Sequence, residues 1–144
     1  MAPVSGQHLD RLGPRRPILS GAALALVATV LLAALSESLA TLPAICIYVV
    51  FALGQSTMVG NTMTTSLSFL PEATKPDGNA VINTLQQLVG AIGTSVVTAV
   101  VNASQAGAAD LAWATIVGTR QAYVLLAVAA VAPLASMAWV TREG

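Results

Sequence analysis

Four long apolar runs, at roughly 17–35, 42–69, 80–101 and 121–140, fill most of this 144-residue chain. Each is about 19 to 28 residues long, and a helix rising about 1.5 Å per residue needs about 20 to cross a hydrocarbon core of roughly 30 Å. Their interiors hold no Lys, Arg, Asp or Glu, and Glu37 and Arg120 stand at run edges. A soluble helical bundle would place charges on its outer face every third or fourth residue. The fold class that follows is all-α: a polytopic membrane protein with four transmembrane helices, for which the lipid bilayer is the solvent.

Composition removes other classes. Charged residues make up 8% of the chain, against about 25% in an average soluble domain. Six basic and six acidic residues cancel, which argues against a nucleic-acid surface. Cys46 is the single cysteine, so no intrachain disulfide can form, and its place inside the second run suits a small packing residue. A cleaved leader is a poor reading, because the first run exceeds the usual signal core of about 7–15 residues and further spans follow it. No His/Asp/Glu cluster and no Cys/His pair falls within a run. Catalytic residues, a metal site and a cofactor are therefore not expected, and His8 reads as a solvated loop residue.

Charge placement predicts orientation. Arg11, Arg15 and Arg16 precede the first run, Lys75 lies between the second and third, and Arg142 follows the fourth. If the runs alternate, these five share a face, and the positive-inside rule makes it cytoplasmic. Arg120 alone falls opposite. Both termini are then cytoplasmic, with the chain integral to the cell membrane. Tyr123 and Trp139 near the ends of the last run suit the two interfaces.

The expected organisation is a cytoplasmic loop at 1–16, a four-helix transmembrane domain at 17–140, and a cytoplasmic tail at 141–144. The spans are expected at about 17–37, 42–69, 79–102 and 121–140. Pro17 suits a first helical turn, Thr41 an N-cap with Pro43 just inside the helix, and Asp77 or Asn79 an N-cap for the third helix. Residues 102–120 are expected to form the longest loop, with Leu111, Ala112 and Trp113 near the outer interface. Pro133 is expected to kink the fourth helix.

Two helices carry polar groups. The inner half of the second holds Gln55, Ser56, Thr57, Asn61, Thr62, Thr64, Thr65 and Ser66. Unpaired polar groups are costly in hydrocarbon, so that half should face other helices or a wet cavity. In the third, Asn83, Gln87, Gly90, Thr94 and Thr98 recur at spacings of three and four and share one face. Such a stripe serves close helix packing or walls a transport pathway, and the pattern alone leaves both open.

Residues 6–16 resemble the cytoplasmic loop motif of the major facilitator superfamily. Gly6, Asp10, Arg11, Gly13, Arg15 and Arg16 fall in register with its Gly, Asp-basic, Gly and basic positions. His8, Leu9 and Pro14 depart from the usual residues. A carboxylate among basic groups can form a charged latch that favours one of two bundle arrangements, so the resemblance implies a gating role for these residues.

Residues 78–95, running from Gly78-Asn79 through Asn83, Gln87, Gly90 and Gly93 to Thr94-Ser95, resemble the penultimate helix of fourteen-span drug:proton antiporters of the EmrB/QacA type. With Phe69-Leu70-Pro71 and the upstream motif, the order is similar to spans eleven to fourteen. The resemblance implies a C-terminal part of a secondary transporter that expels small molecules, such as lipophilic or cationic drugs, in exchange for protons. Gln55, Asn61, Asn83, Gln87, Gly90, Gly93 and Thr94 then become candidates for the pathway or for packing against neighbouring spans.

A transporter of this kind needs two helical halves around a midplane site, and in the family the motif follows a helix. The chain is therefore expected to be the C-terminal part of a longer protein, with the missing N-terminal spans as partners. Proton coupling needs a titratable group within the membrane. Asp10, Glu37, Glu72, Asp77 and Asp110 all lie at or beyond run ends, so that group should lie elsewhere and this chain should not transport by itself. A small self-assembling exporter would need an acid in its first helix, and residues 18–35 have none. The main alternative is a small membrane assembly or accessory protein.

Overall fold

The computed structural model describes residues 15–140. Gly6, Asp10, Arg11 and Gly13 of the loop motif, and the 141–144 tail, lie outside the described residues. Arg15 and Arg16 are the exposed first residues of helix α1.

Four α-helices follow: α1 Arg15–Leu35, α2 Thr41–Ser68, α3 Lys75–Gln105 and α4 Leu111–Val140. All four are long and apolar enough to cross a membrane, so the chain is a multi-pass membrane protein of helices alone among the described residues. α1 has 21 residues, which at about 1.5 Å each gives about 30 Å, the thickness of a hydrocarbon core.

In space the order is α2, α1, α4, α3. α1 packs against α2 and α4, α3 leans on α4, and α3 touches α2 only weakly. α1 is therefore the core of the unit. Its buried residues are Ile18, Gly21, Ala22, Ala25, Ala28, Thr29, Leu32 and Ala33, a three-and-four spacing that serves two neighbours at once. Small side chains dominate, as expected where apolar burial supplies no drive against lipid and backbone proximity must supply the contact. Thr29 makes itself compatible with this interior by donating its hydroxyl to the Ala25 carbonyl at 2.8 Å.

The α1–α2 crossing is built on two glycines. A Cβ added to Gly21 would stand 2.7 Å from the Gly54 carbonyl oxygen and from the Met58 nitrogen. One added to Gly54 would stand 2.7 Å from the Ala25 nitrogen and 2.8 Å from the Gly21 oxygen. Both obstacles are backbone, which cannot swing aside. The α3–α4 crossing uses Gly118, where a Cβ would lie 3.0 Å from Val101 Cα and 2.9 Å from Ser104 Oγ.

Several helix ends differ from the sequence expectation. The largest correction is the 102–120 segment: the connection spans only 106–110, and α4 begins at Leu111. Asp110 is the reason, since its Oδ1 accepts the Trp113 backbone N–H at 3.0 Å and caps the first turn. Gly107 makes the turn possible with φ +74°, a conformation that suits glycine. α3 also starts before the expected Asp77 or Asn79. Pro76 sits in its first turn, where no amide is missed, and Asp77 complements the positive helix end. A short 3₁₀ turn, Glu72–Thr74, leads into it, with Lys75 paired to Glu72. Thr41 is not a cap: it is the first residue of α2, and Ala40 occupies the cap position without a side-chain bond. α4 continues as helix through Pro133 to Val140.

Candidate functional site

The polar stripe of the third helix survives as one face of α3, and it is mostly exposed. No residue of α3 is buried. Gln87, Gly90 and Thr94 are exposed, while Asn83 and Gly93 are half-buried. A Cβ added at Gly90 or Gly93 would meet nothing within 4 Å, so these glycines make no close approach to the described helices. The Thr94 hydroxyl turns back to the Gly90 carbonyl at 2.9 Å. Asn83 donates from Nδ2 to Asn79 Oδ1 at 3.3 Å. Because α3 starts at Lys75, Asn79 is an interior residue that lengthens the stripe by a turn. The spacing of Asn79 to Asn83 contained that signal, but its reading as a cap hid it.

The C-terminal half of α3 turns elsewhere. Ser104 donates to Gln121 Oε1 at 3.2 Å, and Gln105 donates from Nε2 to Thr115 Oγ1 at 2.7 Å. These bonds and the Gly118 contact fasten α3 to α4 near their connection. The stripe amides at Asn83 and Gln87 are left free of that interface.

α2 splits its polar residues between two environments. Asn61 is 4% exposed and lies seven residues from Gly54, hence on the face that packs on α1. Its Nδ2 donates to the Thr57 carbonyl at 2.7 Å. Gln55 is half-buried, whereas Ser56, Thr57, Thr62, Thr64 and Ser66 are exposed. Thr57 and Thr64 satisfy their hydroxyls on carbonyls four residues back, at 2.8 and 2.9 Å. Asn61 therefore belongs to the helix–helix contact, and Asn83 and Gln87 to an open surface.

At the other end of the unit Arg120 donates from Nη1 to Glu37 Oε1 at 2.8 Å. Glu37 lies in the α1–α2 turn, just past the 30 Å reach of α1. Arg120 is thereby tied to the α1–α2 turn, and about 20 residues of α4 follow it. The 121–140 expectation covers the C-terminal part of a longer helix, Leu111–Val140. Among the described residues no three His, Cys, Asp or Glu side chains gather as a metal cluster would require.

Comparison with known proteins gives these helices a family context. The sequence model of the Major Facilitator Superfamily matches residues 1–94. A "Lincomycin resistance protein LmrB" of Listeria monocytogenes is 36% identical over 105 residues, 73% of this chain and 22% of that protein. The protein of the same name in Bacillus subtilis is 31% identical over the same shares. An "Uncharacterized MFS-type transporter YcnB" of Bacillus subtilis is 27% identical over 132 residues, 90% of this chain and 28% of that protein. The chain spans about a quarter or less of the length of these relatives. No solved structure matches.

Proposed function

The chain belongs to the major facilitator superfamily, and from that premise we propose that it acts as the C-terminal part of a secondary active efflux transporter for small, lipophilic or cationic molecules. The observation that carries this reading is the α3 face: a row of amides and small residues in a membrane helix, exposed at Asn79, Gln87, Gly90 and Thr94 and only half-buried at Asn83 and Gly93. Such a row in hydrocarbon needs partners. The wall of a wet pathway, or the flank of further spans, supplies them.

In this reading Asn79, Asn83, Gln87 and Thr94 face the other half of the transporter, and Gly90 and Gly93 let it approach. The exchange partner is a proton. Glu37, Glu72, Asp77 and Asp110, the acidic residues of the described region, all sit at helix ends or turns, so the proton-carrying carboxylate belongs to spans outside this chain. Both termini lie in the cytoplasm, and Gly6, Asp10, Arg11, Gly13, Arg15 and Arg16 act as a charged latch between bundle arrangements. The resistance named for the lincomycin relatives supports a drug-like cargo.

The test is reconstitution. Vesicles holding this polypeptide alone should show no drug-driven proton flux. Co-production with the complementary N-terminal spans of a relative should restore it, and Asn83→Ala or Gln87→Ala should then weaken it. Flux from the chain alone would refute the partial-transporter reading. An assembled but inactive complex would favour a membrane accessory protein instead.

A further inference from the structure

An open groove of about 430 Å³ lies between the outer ends of α1, α2 and α4, on the side of the unit that ends at the Glu37–Arg120 pair. Its volume falls within the range of small-molecule sites, about 300–1,000 Å³. Leu32, Ala44, Ile45 and Ile116 form its apolar walls, and Thr41 and Thr119 stand among its hydroxyl-bearing residues. We propose that this groove binds one phospholipid of the outer leaflet, with a zwitterionic headgroup against the Glu37–Arg120 pair and an acyl chain along the apolar walls.

Depth is the first argument. α1 is as long as the hydrocarbon core is thick, and the groove lies along its last turn, from Leu32 to Ser36. At that level a bilayer offers glycerol esters and phosphates above and acyl chain below. The groove is amphipathic to match, with Leu32 and Ile45 beside Ser36, Thr41 and Thr119.

Charge is the second. Arg120 uses Nη1 on Glu37, and its other N–H groups meet no acceptor among the described residues. A guanidinium with open donors at a membrane boundary is matched to a phosphate. The Glu37 carboxylate beside it is matched to the ammonium of the same headgroup, so a dipolar lipid complements the pair where a purely anionic one would oppose Glu37. Hydroxyl satisfaction is the third. Thr115, at the groove edge, returns its hydroxyl to the Leu111 carbonyl. Thr41 and Thr119 make no hydrogen bond among the described residues, leaving both able to donate to an ester or phosphate oxygen. The proposal depends on membrane insertion and stands apart from the transport reading.

The experiment measures lipid retained per chain by native mass spectrometry. The chain is taken from nanodiscs of phosphatidylethanolamine and passed through extended detergent washing. About one phospholipid per chain should remain. Arg120→Gln should lower retention about tenfold, as expected for loss of a charge-assisted contact. Ala44→Trp, which fills the groove, should abolish retention, and Val128→Trp on the exposed flank of α4 should leave it unchanged. Helix content by circular dichroism checks folding, and if Ala44→Trp fails to fold, Arg120→Gln carries the test. No retained lipid in the unsubstituted chain would overturn the proposal. So would equal retention in Arg120→Gln and Val128→Trp, or diacylglycerol kept as well as the phospholipid.

Discussion

Arg120 and Glu37, 83 residues apart in sequence, meet at 2.8 Å and join the last helix to the first turn of the unit. Their side chains are 55% and 47% exposed. Exposure limits the strength of the pair, since screened ion pairs contribute about 0.2–1 kcal/mol. A double-mutant cycle on Glu37→Gln and Arg120→Gln, followed by unfolding in mixed micelles, should return a coupling in that range. The reversed pair, Glu37→Arg with Arg120→Glu, should recover most of what either single reversal loses.

The glycine crossing should be far less tolerant. Gly21→Ala and Gly54→Ala drive a methyl into backbone atoms at 2.7 Å, and overpacking of this kind costs about 1–3 kcal/mol. Unfolding measurements should place both in that range, with Gly21→Leu worse. Gly60→Ala, which meets nothing within 4 Å, should be neutral or slightly stabilising through helix propensity.

Gly90→Ala separates the two readings of the α3 face. In the isolated chain it should behave like Gly60→Ala, because its surroundings are open. In a complex with the complementary spans it should weaken assembly if those spans approach closely there, as read from the yield of co-purified complex. Equal yield with and without the methyl would leave pathway lining as the role of this face.

Much of this was legible because it is local. The polar stripe of α3 and the spanning runs are periodic patterns within single segments. The Gly21–Gly54 contact was not, because this chain is rich in small residues and nothing in either helix alone says which glycine meets a partner. The sequence drew attention to Gly90 and Gly93, and the closest approach occurs elsewhere. The start of α4 was missed because Arg120 and polar neighbours interrupt the apolar run, although Asp110 before Leu111-Ala112-Trp113 carried a capping signal. Arg120 inside a helix has a partner invisible in one dimension: Glu37, in the turn between the first two helices.

Site-directed labelling should reproduce these environments. In a Cys46→Ser background, Asn83→Cys and Gln87→Cys in the isolated chain should react readily with thiol reagents, whereas Asn61→Cys, on the buried face of α2, should react at least about tenfold more slowly, in keeping with thiol reactivity following access. Comparable rates at the three positions would mean that the α1–α2 contact opens easily.

Orientation is checked by the same chemistry with membrane-impermeant reagents. Cysteines at Arg16 and Lys75 should be reached from the cytoplasmic side, and cysteines at Glu37 and Asp110 from the opposite side. Reaction of Arg16 and Lys75 positions from different sides would break the alternation of the spans.

The spatial order α2, α1, α4, α3 sets a timetable for biosynthesis. α1 and α2 can pair as soon as both leave the translocation machinery. The second flank of α1 must then wait for α4, the fourth helix in chain order, which at about 5–20 residues per second means several seconds of exposure. α3 emerges in that interval with little to hold it, since its main neighbour is not yet made. A ribosome stalled after Gln105 would therefore release a firm two-helix hairpin and a loose third helix, the state most open to quality-control proteases.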